Sequence, residues 1–163
     1  MPPADPALLQ LAEADRERDR AAEQLQRAVV RAVEQGHSQS EIAEVLGVTQ
    51  PAVSQMLRTA RARARLARGP IGRRLIAHRR DVRDIARGAG ATNLRVFGSV
   101  ALGEDDDSSD VDLLVRMPSA GLFEITGLGL ELSDLLGVPV DVVPEHLVKA
   151  DVLPELVARS VPL

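Results

Sequence analysis

The chain has no cysteine, tryptophan or tyrosine, and its only aromatic residues are Phe97 and Phe123. The missing cysteine excludes disulfides, thiolate metal sites and a cysteine nucleophile. So few rings argue against the base-stacking platforms of RRM or OB domains. Lysine is almost absent as well: Lys149 stands beside 19 arginines, a ratio that reflects genome composition more than chemistry. No run approaches the roughly 18–20 apolar residues of a membrane helix. Met1–Gln10 lacks a basic region followed by a long apolar stretch, so no secretory signal is expected. These absences lead us to expect a cytoplasmic protein with no membrane partner.

What is present is unevenly distributed. At 163 residues there is room for one ordinary domain or two small ones. The net charge of −4 divides into +5 over residues 1–90 and −9 over residues 91–163. Arg58–Arg87 alone carries 11 arginines against Asp81 and Asp84. A basic half joined to an acidic half suggests two modules with different partners.

The periodicity changes along the chain too. Residues 1–7, with three prolines, read as a frayed tail. Leu8–Glu34 reads as helix, with Ala22, Leu25, Val29 and Ala32 in one apolar stripe, either a dimer seam or the first helix of a domain. The second option is preferred, and a homodimer stays open. Gly36 ends this helix, and Ser38 with Glu41 suggests a capping box for a short helix to Leu46. A third helix is expected from Gln50 towards Arg68. Gly69-Pro70 is the expected linker, followed by a helix over Ile71–Arg87. Strands are then expected at Leu94–Phe97, Val111–Val115 and Val138–Val143. A helix over Ala120–Leu136 lies between the last two, and a helical tail follows. The fold class expected is α+β. An all-helical domain over residues 1–68 precedes a small α/β domain with a short mixed sheet over residues 70–163.

Two segments carry chemistry. In the first, Ser38–Arg58, Ile42, Ala43, Leu46, Val48, Val53 and Leu57 form the seam between two short helices, and Gly47 supplies the turn. The second helix presents Thr49, Gln50, Ser54, Gln55 and Arg58. Gln and Arg suit adenine and guanine edges in the major groove, and the arginines that follow suit phosphates. The segment resembles the helix-turn-helix of bacterial transcription regulators. A small helical bundle docking another protein is the blander alternative.

In the second segment, Gly98-Ser99 follows a strand, ten residues intervene, and Asp110-Val-Asp112 opens the next strand. Asp141 begins or lies within the third strand. Asp110 and Asp112 are two apart, so they share a face, and clustered like charges there need a cation. Taken singly, each aspartate could equally cap a turn or end a strand. Together the pattern resembles nucleotidyltransferases of the polymerase-β type, most closely the minimal nucleotidyltransferases of bacterial toxin–antitoxin pairs. The likeness covers about residues 71–163.

That resemblance implies an antitoxin that transfers AMP from ATP, with Mg²⁺ (two ions), to a tyrosine hydroxyl of a cognate HEPN-type toxin. It also implies repression of its own operon through operator DNA. Asp110, Asp112 and Asp141 would be the catalytic, metal-holding residues, and Gly98 and Ser99 would hold the phosphates. Leu102, and to a lesser degree Val100, stand where related sequences often carry an arginine that could meet the triphosphate. This supports an alternative: a transcription regulator whose nucleotidyltransferase domain senses nucleotide. Transfer to an RNA end is a third option, disfavoured by the acidity of this half. The acidic run Glu104–Asp107 reads as a solvated loop. His37, His78 and His146 share no ligand spacing, and Gly127-Leu-Gly129 lacks the context of a dinucleotide fingerprint.

Overall fold

The computed structural model describes residues 5–163. The chain forms two compact units that part between Ala60 and Arg61.

The first unit opens with α1, Pro6–Glu34. Asp5 caps it by accepting from the Ala7 amide at 2.9 Å, and Pro6 sits in the first turn, where its missing N–H costs nothing. Residues 6 and 7 are thus helical, not tail; residues 1–4 lie outside the described residues. Next comes α2, Gln39–Leu46, with the expected capping box. The Glu41 amide donates to Ser38 Oγ, and the Ser38 amide donates to the Glu41 carboxylate at 2.7 Å. The Ser38 amide, first, and then the Ser38 hydroxyl hold the Glu41 carboxyl below its ordinary pKa. Gly47 ends α2 at φ +63, a left-handed turn that favours glycine. The third helix, α3, spans Gln50–Leu66, and its last six residues belong to the second unit.

Val29, Ile42, Ala43, Val53 and Leu57 form the core of this unit, with Leu46 against it. Val48 is not in that seam, since it is 38% exposed. Nor does the apolar stripe of α1 pack along its length, because Ala22 and Leu25 face solvent.

The second unit holds α4 (Pro70–Ala77), α5 (Arg79–Gly88), β1 (Thr92–Phe97), α6 (Gly98–Leu102), β2 (Val111–Arg116), α7 (Leu122–Leu136), β3 (Val140–Pro144), α8 (Leu153–Arg159) and β4 (Val161–Pro162). The single helix expected over Ile71–Arg87 is broken at His78, although neither Gly nor Pro marks the break. The sheet order is β3-β2-β1-β4. β1 is antiparallel to both β2 and β4, and β2 is parallel to β3 through the α7 crossover. The fourth strand went unread in the sequence: two residues carry no periodicity, and their pairing partners are Arg95 and Val96. Val96, Leu113, Val115, Leu128, Leu132 and Leu136 meet Ile71, Leu75 and Val82 in one core.

Gly69-Pro70, expected to be a linker, lies inside this second unit. Gly69 has no side chain to cap α4. Instead Asp105, from the loop between α6 and β2, accepts from the Ile71 amide at 2.8 Å and the Gly72 amide at 3.0 Å through Oδ2. A Cβ at position 69 would overlap the Asp105 carboxylate, so the glycine makes room for the cap. Asp105 is only 7% exposed, which corrects the expectation of a wholly solvated acidic loop.

Candidate active site and DNA-reading face

The strand register assembles the acidic site. Asp112, second residue of β2, is paired with Asp141, second residue of β3, in the parallel ladder. Asp110 stands two residues before Asp112 and so shares its face. One carboxylate oxygen from each of the three lies within 4.8 Å of the others. Asp110 and Asp141 are exposed and Asp112 is half-buried. Burial raises the Asp112 pKa above its ordinary value, and the charges of Asp110 and Asp141 add to this. Three hard oxygen donors held together at such electrostatic cost suit a divalent cation such as Mg²⁺.

The Gly98-Ser99 step comes to the same place. Phe97, last residue of β1, is the antiparallel partner of Asp112, so the chain leaves β1 beside the carboxylates. Gly98 sits at φ +71, and a Cβ there would overlap Asp112 Oδ2. The backbone thus passes against the acidic cluster with no side chain between. Ser99 follows in α6, with Val100 in the core and Leu102 46% exposed. Gly98→Ala should therefore distort Asp112. We expect it to weaken divalent-ion binding at least tenfold in calorimetry while the sheet still forms; unchanged affinity would show that the close approach has no role.

The loop leading into Asp110 is organised by its own acids. Asp106 Oδ1 accepts from the Ser108 amide at 2.9 Å, from Ser108 Oγ at 2.7 Å and from Ser109 Oγ at 3.2 Å. These bonds, Ser108 first, lower the Asp106 pKa. Asp105, one residue earlier, anchors the loop to α4. Sequence reading missed this because the partner amides lie more than 30 residues upstream.

The other expected surface lies on the first unit. Thr49, Gln50, Gln55 and Arg58 are exposed and Ser54 is partly so. Thr49 Oγ1 accepts from the Ala52 amide at 3.4 Å, close to the limit of a hydrogen bond. Gln50 Nε2 donates to Gln39 Oε1 at 2.8 Å. Arg58 donates through Nε and Nη2 to Gln55 Oε1, at 3.1 and 2.8 Å, so these two side chains present a joint polar edge.

The nucleotidyltransferase domain family matches residues 76–161, just over half of the chain. The chain belongs to the nucleotidyltransferase family. A solved structure described as a proposed minimal nucleotidyltransferase is 39% identical to it, with a TM-score of 0.51; the match covers 55% of this chain and 92% of that one. The Cro family matches residues 25–64, so this nucleotidyltransferase carries a Cro-like DNA-binding domain. No curated protein matches the chain. Among the described residues, no helix is long and apolar enough to cross a membrane.

Proposed function

We propose that the second unit transfers AMP from ATP to a tyrosine hydroxyl of a cognate HEPN-type toxin. In this reading the chain is an antitoxin, and its first unit, as a homodimer, represses its own operon. The observation that carries the reading is the register of Asp112 on Asp141 with Gly98 held bare beside them.

Asp110, Asp112 and Asp141 would hold Mg²⁺. The bound ion would supply Lewis acidity towards the phosphates and offset the mutual repulsion of the carboxylates. Gly98 lets the triphosphate approach the backbone, and Ser99 offers a hydroxyl to a phosphate oxygen. Asp141, exposed at the start of β3, takes the proton of the acceptor hydroxyl or orients it. The acceptor oxygen bonds to the α-phosphorus as the bond to pyrophosphate breaks. In-line approach at about 3–3.5 Å is the geometry this needs. The chain has no tyrosine, so a Tyr-AMP product must appear on another polypeptide.

One observation favours a second reading: Leu102, last residue of the short helix that starts at Gly98, is exposed and offers no charge to a triphosphate. In that case the domain binds nucleotide as a sensor for the DNA-binding unit. Incubation with ATP labelled at the α-phosphate, Mg²⁺ and the toxin separates the two. Label on the toxin supports transfer; nucleotide binding without any labelled product supports the sensor.

DNA reading has its own test. Gln50→Ala, Gln55→Ala and Arg58→Ala should each cost about 1–3 kcal/mol of operator affinity where a base contact is lost. Because Gln55 holds the Arg58 guanidinium, the Gln55→Ala and Arg58→Ala losses should not add. Arg63 is committed to the Pro162 carbonyl at 3.1 Å, so the exposed Arg61 is the phosphate candidate: Arg61→Ala should weaken binding to all sequences and reduce its salt dependence. Gel-shift titrations over a salt series measure both effects. Unchanged affinity in all three single variants would remove α3 from the reading.

A further inference from the structure

The core of the first unit uses α1 only from Val29 onward. The 23 residues before it, Pro6–Ala28, form about 34 Å of helix. One face of the stretch, Ala12, Asp15, Asp19, Glu23 and Gln26, is half-buried, which leaves another face open to solvent. Along the stretch, alanines recur every seven residues, at 7, 14, 21 and 28. They alternate with Leu11, Arg18 and Leu25 at a strict four-three spacing, and every one of these residues is exposed. Leu11 is 67% exposed and Leu8, on the flank, 63%. Arg18, the one charge on the stripe, is paired along its own helix with Asp15 at 2.7 Å and Asp19 at 3.2 Å.

We propose that this face of α1 pairs with the same face of a second copy of the chain as an antiparallel coiled coil. The seven-residue period is that of two like helices supercoiling, since a lone surface helix follows a period of 3.6. The choice of a second copy rests on charge. Pro6–Ala28 carries five acids and four arginines, a balance that suits a like helix and attracts neither DNA nor a strongly basic protein. Antiparallel pairing sets each leucine against an alanine of the other copy. It also sets Arg18 against alanine, whereas parallel pairing would oppose Arg18 with its own copy. Two Cro-like units brought together this way can address two half-sites. The inference rests on the homodimer in the reading above but not on transfer chemistry, so its test omits both nucleotide and DNA.

The experiment is sedimentation equilibrium of the full chain over a wide concentration range. A reversible dimer is expected. Leu11→Glu with Leu25→Glu should weaken it by about a hundredfold or more, with helix content by circular dichroism unchanged, since glutamate is a good helix former. Arg18→Leu should tighten it about tenfold, a gain that misfolding cannot imitate. In this cysteine-free chain, Ala14→Cys together with Leu25→Cys should oxidise to a covalent dimer, and Ala14→Cys alone should not. A chain that stays monomeric at every concentration, or a dimer indifferent to the Leu11 and Leu25 changes, would overturn the proposal. Crosslinking by Ala14→Cys alone would overturn the antiparallel arrangement.

Discussion

Asp112→Asn, by itself, should make the ion-free protein more stable and abolish its Mg²⁺-dependent nucleotide binding. Asp112 is half-buried between two like charges, and its pKa is raised, by burial first and then by Asp110 and Asp141. A carboxyl with a raised folded pKa favours folding when protonated. Its contribution is fully present below the ordinary carboxyl value of about 4 and is lost as pH rises through the raised folded value. At neutral pH the ionised group therefore opposes folding. Asparagine removes that charge and should remove this part of the pH dependence. Ligand changes the order. At nucleotide and Mg²⁺ concentrations about a hundredfold above the dissociation constant, the wild type gains about 2.7 kcal/mol and the variant gains nothing. Thermal melts from pH 4 to 8, with and without Mg²⁺ and ATP, measure both effects. A variant less stable than wild type without ion, or still stabilised by Mg²⁺ and ATP, would remove Asp112 from the metal site.

Asp105→Ala should be the most damaging single change to the second unit. It strips the partner from two buried amides, Ile71 and Gly72. Each unsatisfied donor costs about 1–3 kcal/mol, so a loss of about 2–6 kcal/mol is expected. It also leaves a space beside Gly69. For a unit of this size, 1 kcal/mol shifts the melting temperature by about 4–8 °C. Asp105→Asn keeps an oxygen for the two amides and should lose much less. If Asp105→Ala melts like the wild type, the carboxylate is not what ties the Asp110 loop to α4.

Much of the site was legible because its signals are local. Gly98-Ser99, the ten-residue gap and Asp110-Val-Asp112 lie within a single hairpin, so strand alternation alone puts both carboxylates on one face. Asp141 required the parallel register of β3 on β2, which its apolar neighbours implied but could not set. The helix-turn-helix was readable through Ser38, Glu41 and Gly47, whose capping roles depend on residues no more than four away. What failed to show was set by distant partners. Asp105 finds its amides at positions 71 and 72, and β4 exists only as an addition to β1. Val48 fits the apolar spacing yet stays out of the core, because Val29, Ile42, Ala43, Val53 and Leu57 fill it.

The central claim is that these three aspartates support transfer of AMP to another protein. Peptide mass spectrometry of the chain and the toxin, after incubation together with ATP and Mg²⁺, tests it most directly. The account predicts an AMP adduct on a toxin tyrosine, absent without Mg²⁺ and absent with Asp110→Ala and Asp112→Ala. An unmodified toxin beside a chain that still binds ATP, or an adduct that survives the double substitution, would contradict it.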